Sequence, residues 1–152
     1  YNMKGEVPTD PDFVLPIGKA DLKRTGKDVT VVTYGRMLER VLKAADMALE
    51  KGIEVEVVDL MTLMPLDKEA IINSVKKTGR VLLVNDAHKT GGFLGEIAAV
   101  ITESDAFDYL DNRILRLAAE DIPTPYNHSL EVAMLPDVDR ILKYIERLYD
   151  KR

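Results

Sequence analysis

Cysteine is absent from the sequence, and there are only two histidines, His88 and His128. Without cysteine the chain cannot form disulfides, zinc–thiolate sites or thiol nucleophiles, and two histidines cannot make a histidine-rich metal site. Cysteine-free chains are typical of reducing compartments, so we expect a cytoplasmic location. No apolar run approaches the ~20 residues that span a bilayer, and no secretory signal is recognisable, so we expect no contact with a membrane.

Positive charge is also scarce, because 21 Lys and Arg stand against 26 Asp and Glu, for a net charge of −5. This balance argues against a nucleic-acid partner, whose binding depends on Lys and Arg neutralising phosphates. The composition, 46% hydrophobic and 31% charged, is that of a globular protein. A length of 152 residues suits one domain.

Four short apolar runs predict buried β-strands at residues 29–34, 55–60, 81–84 and 114–117. Apolar residues at helical spacing fill the gaps between them. Gly52 and Gly79 are placed to end the first two helices and Asp67 to begin the second. A third helix contains Leu94 and Ile101, a turn of helix begins near His128, and the last helix begins at Pro136 or Asp137. Alternating strands and helices predict an α/β fold with a mostly parallel sheet between two helical layers.

The first 28 residues follow a different pattern. Pro8, Pro11 and Pro16 predict an extended arm, since each proline disfavours helix in the residue before it. A short strand from Lys19 to Arg24 would join the strand at residue 29 through a tight turn, and this hairpin would add an antiparallel edge strand. We therefore divide the chain into residues 1–28, the arm and edge hairpin, and residues 29–152, the α/β domain.

Chemistry in such folds is expected beyond the carboxyl ends of the strands. The residues there are Tyr34-Gly35, Asp59, Asn85-Asp86-Ala87-His88 and Ala119-Glu120-Asp121. Carboxylates and a histidine at one edge could perform acid–base catalysis. The interpretation that we favour is that Asp and Asn begin turns and cap the following helices.

The segment Lys89-Thr90-Gly91-Gly92-Phe93-Leu94-Gly95-Glu96 is the most distinctive local feature. Glycines before a helix could bind phosphate, but the spacing matches no nucleotide fingerprint, and Glu96 would repel an anion. We therefore favour close packing of Gly91 and Gly92 against another backbone. His88 is expected in a solvated loop just past a strand, with proton transfer or an interface role as alternatives.

A second local feature is the acidic run of Glu103, Asp105, Asp108 and Asp111, which surrounds Phe107, Tyr109 and Leu110. A run of like charges is usually a solvated face. Its mixture with large apolar residues also fits a docking patch for a basic partner. Composition alone leaves both interpretations open.

Taken in order, several segments make the chain similar to a known family. It resembles the transketolase C-terminal-like domain of β-subunits in pyruvate, branched-chain 2-oxo acid and acetoin dehydrogenase complexes. The resemblance extends over nearly the whole chain and includes Lys4-Gly5-Glu6-Val7-Pro8, Val31-Val32-Thr33-Tyr34-Gly35, Val58-Asp59-Leu60-Met61-Thr62-Leu63-Met64-Pro65-Leu66-Asp67, Thr90-Gly91-Gly92-Phe93, Glu96-Ile97 and Asp121-Ile122-Pro123-Thr124-Pro125-Tyr126.

The resemblance implies a three-layer α/β/α sandwich with a five-stranded, mostly parallel sheet. It also implies oxidative decarboxylation of a 2-oxo acid by the full enzyme, with acyl transfer to lipoamide. Thiamine diphosphate and magnesium would serve that enzyme without being bound by this domain, which would hold no catalytic residue. The implied partners are an α-subunit, a second β-subunit and the lipoyl acyltransferase.

Within this framework we expect the contact between β-subunits at Gly91, Gly92, Phe93, Glu96 and His88, and acyltransferase docking at Asp105, Asp108 and Asp111. Two alternatives remain. One is a free-standing module that binds small anions. The other is the equivalent domain of a transketolase, a deoxyxylulose phosphate synthase or a 2-oxo acid:ferredoxin oxidoreductase. Relatives commonly carry other residues where Met61, Asp86 and His88 stand, so the substrate branch stays open.

Overall fold

A five-stranded sheet forms the centre of the computed structural model, which describes residues 6–150. The strand order is β1-β3-β2-β4-β5. Every neighbouring pair is parallel except β1 and β3, which are antiparallel. The predicted mostly parallel sheet with one antiparallel edge strand is therefore confirmed. The strands are Asp21–Arg24 (β1), Val29–Thr33 (β2), Val55–Asp59 (β3), Val81–His88 (β4) and Leu115–Ala119 (β5).

Helices cover both faces of the sheet and complete the predicted three layers. On one face α1 and α5 bury side chains such as Val41 and Ile145 against Val31 of the sheet. On the other face α2 and α3 pack against Val32 and its neighbours, as expected from the alternation of side chains along a strand. The helices are Met37–Glu50 (α1), Lys68–Thr78 (α2), Leu94–Thr102 (α3), His128–Met134 (α4) and Val138–Tyr149 (α5), with a 3₁₀ helix over Asp105–Tyr109.

The helix ends follow the predicted capping residues. Asp67 begins α2, and its side chain accepts a hydrogen bond from the Ala70 amide at 3.2 Å. Asp137 begins α5, and its side chain accepts from the Arg140 amide at 2.7 Å. Gly79 ends α2 with a φ of 67°, the left-handed conformation that glycine adopts without cost. None of the helices within residues 6–150 is long and apolar enough to cross a membrane.

The predicted hairpin between β1 and β2 is wrong, because β1 pairs with β3. Strand β2 already has β3 and β4 on its two hydrogen-bonding edges. The connection from β1 instead passes the start of β3, where the Asp28 amide donates to the Glu54 carbonyl at 2.9 Å. Gly26 permits this close passage, since a Cβ there would lie 2.3 Å from the Val55 carbonyl carbon.

The arm preceding β1 is exposed and forms no helix or strand between residues 6 and 20. Its final residues are fixed to the loop between β3 and α2, because the Gly18 amide donates to Thr62 Oγ1 and the Ala20 amide to Asp67 Oδ2. Residues 1–5, which include part of the predicted arm and of the Lys4-Gly5-Glu6-Val7-Pro8 motif, lie outside the described residues. The division at residue 28 stays a prediction.

Candidate interface and cavity at the carboxyl edge of the sheet

A cavity of about 830 Å³ opens at the carboxyl edge of the sheet. It lies between the loop that leads into α2 and the first turn of α3. Leu63, Leu66 and Phe93 give it apolar walls, and Glu96 and Arg116 add charge. Its volume is within the ~300–1,000 Å³ of typical ligand pockets, and an apolar depression of this kind also suits a side chain from another protein.

The two glycines before α3 have different roles. Gly91 has a φ of 71°, and nothing lies within 4 Å of the position that its Cβ would occupy. A Cβ on Gly92 would lie 2.2 Å from the carbonyl oxygen of His88. The expected close packing against a backbone therefore holds for Gly92 and is wrong for Gly91. At position 91 glycine is required because the backbone there is left-handed.

The surroundings of Gly92 show whether the glycine segment before α3 could accommodate a diphosphate. The space that the missing side chain leaves is filled by a carbonyl oxygen, whose partial negative charge repels phosphate. Glu96, in the first turn of α3, adds a full negative charge beside the cavity. The glycine segment therefore does not fit the diphosphate of the implied cofactor.

Phe93 joins the rim of the cavity to a partly buried polar pair, Tyr34 and Asn85. Its ring meets the Tyr34 ring edge-on, with centroids 6.3 Å apart. The Tyr34 hydroxyl accepts a hydrogen bond from Asn85 Nδ2 at 2.5 Å, and Asn85 is fully buried. The sequence pattern predicts a turn at Asn85, whereas the structure places it in β4. Its only sequence signal as a core residue is that it directly follows an apolar strand.

His88 lies within β4, so its predicted place in a loop past the strand is wrong. The strand continues four residues beyond the apolar run, and His88 pairs with Ala119 of β5. The exposed imidazole lies 3.0 Å, through Nε2, from the carbonyl oxygen of Ile122. The His88 carbonyl thus lies against Gly92 in the loop before α3, and the His88 ring contacts the loop after β5.

A second contact between these two loops was not recognised in the sequence. Asp121 accepts hydrogen bonds from the Thr90 amide at 3.0 Å and from the Thr90 hydroxyl at 2.7 Å. These two bonds lower the pKa of the Asp121 carboxyl, and the bond from the Thr90 amide has the larger effect. Together with the contact of His88, they fix the glycine segment to the loop after β5.

The predicted interface residues His88, Gly91, Gly92, Phe93 and Glu96 are thus contributed by the last residue of β4, the loop that follows it and the first turn of α3. The side chain of Glu96 is exposed and has no hydrogen bond or ion pair within residues 6–150. Arg116 Nη1 donates to the Lys89 carbonyl at 3.3 Å. The same part of the molecule therefore combines a fixed backbone with a charged side chain that lacks a partner among the residues that the structure describes.

The other polar residues at the strand ends do not form a catalytic pair. Asp86 faces Arg36 at 3.9 Å, and Glu120 pairs with Arg140 at 2.7 Å. Burial raises the pKa of Asp59, whose Oδ1 accepts from the Met61 amide. No group of three or more His, Cys, Asp or Glu side chains that could hold a metal occurs among residues 6–150. The geometry favours turns and ion pairs over acid–base catalysis.

The predicted docking residues lie at the opposite, amino edge of the sheet. Asp105 pairs with Lys76 at 2.5 Å, and Asp111 pairs with Arg80 at 3.3 Å. Asp108 is exposed and has no such partner within the described residues. Lys76 and Arg80 therefore partly neutralise the acidic run, whereas Asp108 and the exposed Glu103 have no ion pair within the described residues.

Comparisons with known proteins agree on one family. Residues 18–141 match the family model of the transketolase C-terminal domain. The 2-oxoisovalerate dehydrogenase subunit beta of Bacillus subtilis (strain 168) is 51% identical over 140 residues, which are 91% of this chain and 42% of that protein. The pyruvate dehydrogenase E1 component subunit beta of Porphyra purpurea is 43% identical over 148 residues, 97% of this chain and 44% of that protein.

A solved structure supports the same fold. The split gene transketolase, an inactive beta4 tetramer, superposes with a TM-score of 0.78 at 26% identity. The match covers 94% of this chain and 45% of that one. The chain therefore spans less than half the length of the relatives that it matches.

Proposed function

The chain belongs to the transketolase C-terminal domain family, and we propose that it is the assembly domain of the β-subunit of a thiamine diphosphate-dependent 2-oxo acid dehydrogenase. The carboxyl edge of the sheet carries the proposal. In this fold that edge normally binds ligands, but here it holds a loop fixed by Thr90 and Asp121 beside an open apolar cavity. Such a surface suits contact with another subunit better than it suits catalysis.

In the proposed enzyme, His88, Gly91, Gly92, Phe93 and Glu96 form part of the contact with a second β-subunit. Two similarities support such a contact. The chain resembles a 2-oxoisovalerate dehydrogenase β-subunit, and the split gene transketolase with the same fold forms a tetramer of four β-chains. A fixed backbone supports it further, because a preorganised loop loses little conformational entropy on binding.

The other proposed components follow from the family resemblance. An α-subunit completes the enzyme, which oxidatively decarboxylates a 2-oxo acid and transfers the acyl group to lipoamide on the acyltransferase. Thiamine diphosphate and magnesium act in the full enzyme and are not held by this chain. The cysteine-free composition supports a cytoplasmic location.

The alternative of a small-anion-binding module has one observation in its favour. Lys68 and Arg116 line the cavity, and neither has a carboxylate partner within residues 6–150. The Glu96 carboxylate and the His88 carbonyl oxygen oppose an anion bound beside the glycine segment. We therefore favour assembly.

A chimera tests the proposal. This chain would replace the matching region of the Bacillus subtilis 2-oxoisovalerate dehydrogenase subunit beta, and the chimera would be combined with the corresponding α-subunit. We expect an assembled enzyme that decarboxylates 2-oxo acids. The matched control carries Leu142→Asp, which disrupts the core beneath α5 and should prevent assembly. A chimera that folds but neither assembles nor decarboxylates would contradict the proposal.

A further inference from the structure

The segment after β5 presents an aromatic side chain that no other residue within 6–150 covers. Tyr126 is fully exposed, and so, in large part, are Leu130 and Val132 of α4. Of the seven residues of α4 only Met134 is buried. An isolated helix of this length is unstable in water, so a further packing partner would stabilise this segment.

Tyr126 is also held in a way that suits insertion into another protein. Pro123 and Pro125 restrict the backbone before it, and the Asn127 side chain caps α4 directly after it. Tyrosine on a restricted backbone loses little entropy on binding, and buried tyrosines dominate the energetics of many interfaces.

The cavity at the carboxyl edge has the complementary chemistry. Leu66 and Phe93 offer apolar surface for an aromatic ring, and the unpartnered carboxylate of Glu96 can accept a hydrogen bond from a phenol. A buried tyrosine hydroxyl usually finds such an acceptor.

Hydrogen bonds connect the segment that carries Tyr126 to the rim of the cavity. The loop that leads to Tyr126 is bound to the loop at the cavity rim through Asp121 and Thr90, and through Ile122 and His88. When two copies are related by a two-fold axis, a projecting side chain on each copy can enter the depression on the other. Each contact then occurs twice.

We propose that two copies of the chain associate about such an axis, with Tyr126 of each copy inserted into the cavity of the other between Phe93 and Leu66 and bonded to Glu96. This arrangement rests on the proposed function, because it specifies how the β-subunit contact is made. The partner copy completes the cavity of the first copy, and the first copy completes that of the partner.

Cross-linking tests this arrangement directly, because the native chain has no cysteine. One variant carries Thr124→Cys, which leaves Tyr126 in place, and the other carries Lys68→Cys at the cavity rim. The two single-cysteine variants are mixed and treated with a short bismaleimide, so every mixed product is intermolecular. The control mixture pairs Thr124→Cys with Glu50→Cys, at the exposed end of α1.

We expect the Thr124→Cys and Lys68→Cys pair to link at least about ten-fold faster than the control, because association raises the effective concentration of the two thiols. Adding Tyr126→Ala to the Thr124→Cys variant should return the rate to the control level. Equal rates in the two mixtures, or a rate unaffected by Tyr126→Ala, would overturn the proposal.

The chimera separates this inference from the proposed function. If the chimera assembles while the cross-link stays at the control level, the β-subunit contact is made elsewhere and the docking of Tyr126 is wrong. If the cross-link forms while the chimera fails to assemble, the docking stands and the dehydrogenase assignment is wrong.

Discussion

The Asp121 carboxylate shows how one side chain can fix two loops. Both of its oxygens accept from Thr90, one from the amide and one from the hydroxyl. Hydrogen bonds to the charged form lower the pKa of a carboxyl group, as they do here. The resulting contribution to stability is present above the ordinary pKa of 3.8 and is lost as the pH falls through the lowered value.

Replacing Thr90 with Val tests this contact. The change removes the hydroxyl donor and leaves the amide, so the pKa of Asp121 should rise part of the way towards its ordinary value. The measurement is an NMR titration of the side-chain carboxyl. Thr102→Val is the control, because within the described residues the Thr102 hydroxyl bonds to α3 alone, at the Ala98 and Ala99 carbonyls. An unchanged titration midpoint in Thr90→Val would show that the hydroxyl bond is absent in solution.

Gly92 and Gly95 allow a paired test of close packing. Alanine at 92 would press against the His88 carbonyl and should cost about 1–3 kcal/mol of unfolding free energy. Alanine at 95 would meet the end of the Arg116 side chain at 3.5 Å, an ordinary contact distance. It should raise the unfolding free energy by roughly 0.5–1 kcal/mol, because alanine favours helix more than glycine does. Urea denaturation measures both. Equal effects of the two substitutions would refute the assigned role of Gly92.

At the scale of the secondary-structure elements, α5 should be indispensable to the fold. Leu142 is buried with Ile141 and Ile145 in the core shared with α1. Leu142→Asp removes apolar burial and introduces an unpaired charge, with an expected loss of about 3–5 kcal/mol. Lys143→Asp, on the exposed side of the same helix, should change stability by no more than about 0.5 kcal/mol. Thermal unfolding that is equal for both variants would exclude the helix from the core.

The elements that could be predicted are those with local signals. Gly52 and Gly79 mark helix ends through the left-handed backbone that glycine adopts, Asp67 marks a helix start through its capping side chain, and apolar runs mark the buried strands. The pairing of β1 with β3 depends on which sheet edge remains free, and no local pattern encodes that. The extension of β4 through Asn85 to His88 likewise depends on pairing with β5, so these polar residues resemble a turn in the sequence.

At the scale of the whole molecule, the two predicted surfaces lie at opposite edges of the sheet. The grouping of His88 with the glycine segment could be predicted because these residues are close in sequence. The ion pairs of Asp105 with Lys76 and of Asp111 with Arg80 could not, since they join residues far apart in the chain. The acidic run therefore carries less free charge than its composition suggests.

If the acyltransferase docks at the acidic run, Asp108 should contribute most to the electrostatic attraction among the three predicted docking residues, because Asp105 and Asp111 are already paired with Lys76 and Arg80. Asp108→Lys in the assembled chimera should slow association with a basic subunit-binding domain at low salt and approach the unmodified rate at high salt, where charges are screened. Glu50→Lys makes the same charge change at the end of α1. Stopped-flow kinetics in which both variants slow association equally would assign the effect to net charge and remove Asp108 from the docking surface.

Calorimetric titration with thiamine diphosphate and magnesium tests most directly the central claim, that this domain assembles the enzyme and does not hold its cofactor. The chain alone should give no heat of binding, because its glycine segment faces a carbonyl oxygen and Glu96. The chimeric β-subunit assembled with its α-subunit should bind the cofactor under the same conditions. Micromolar binding by the chain alone would contradict the account.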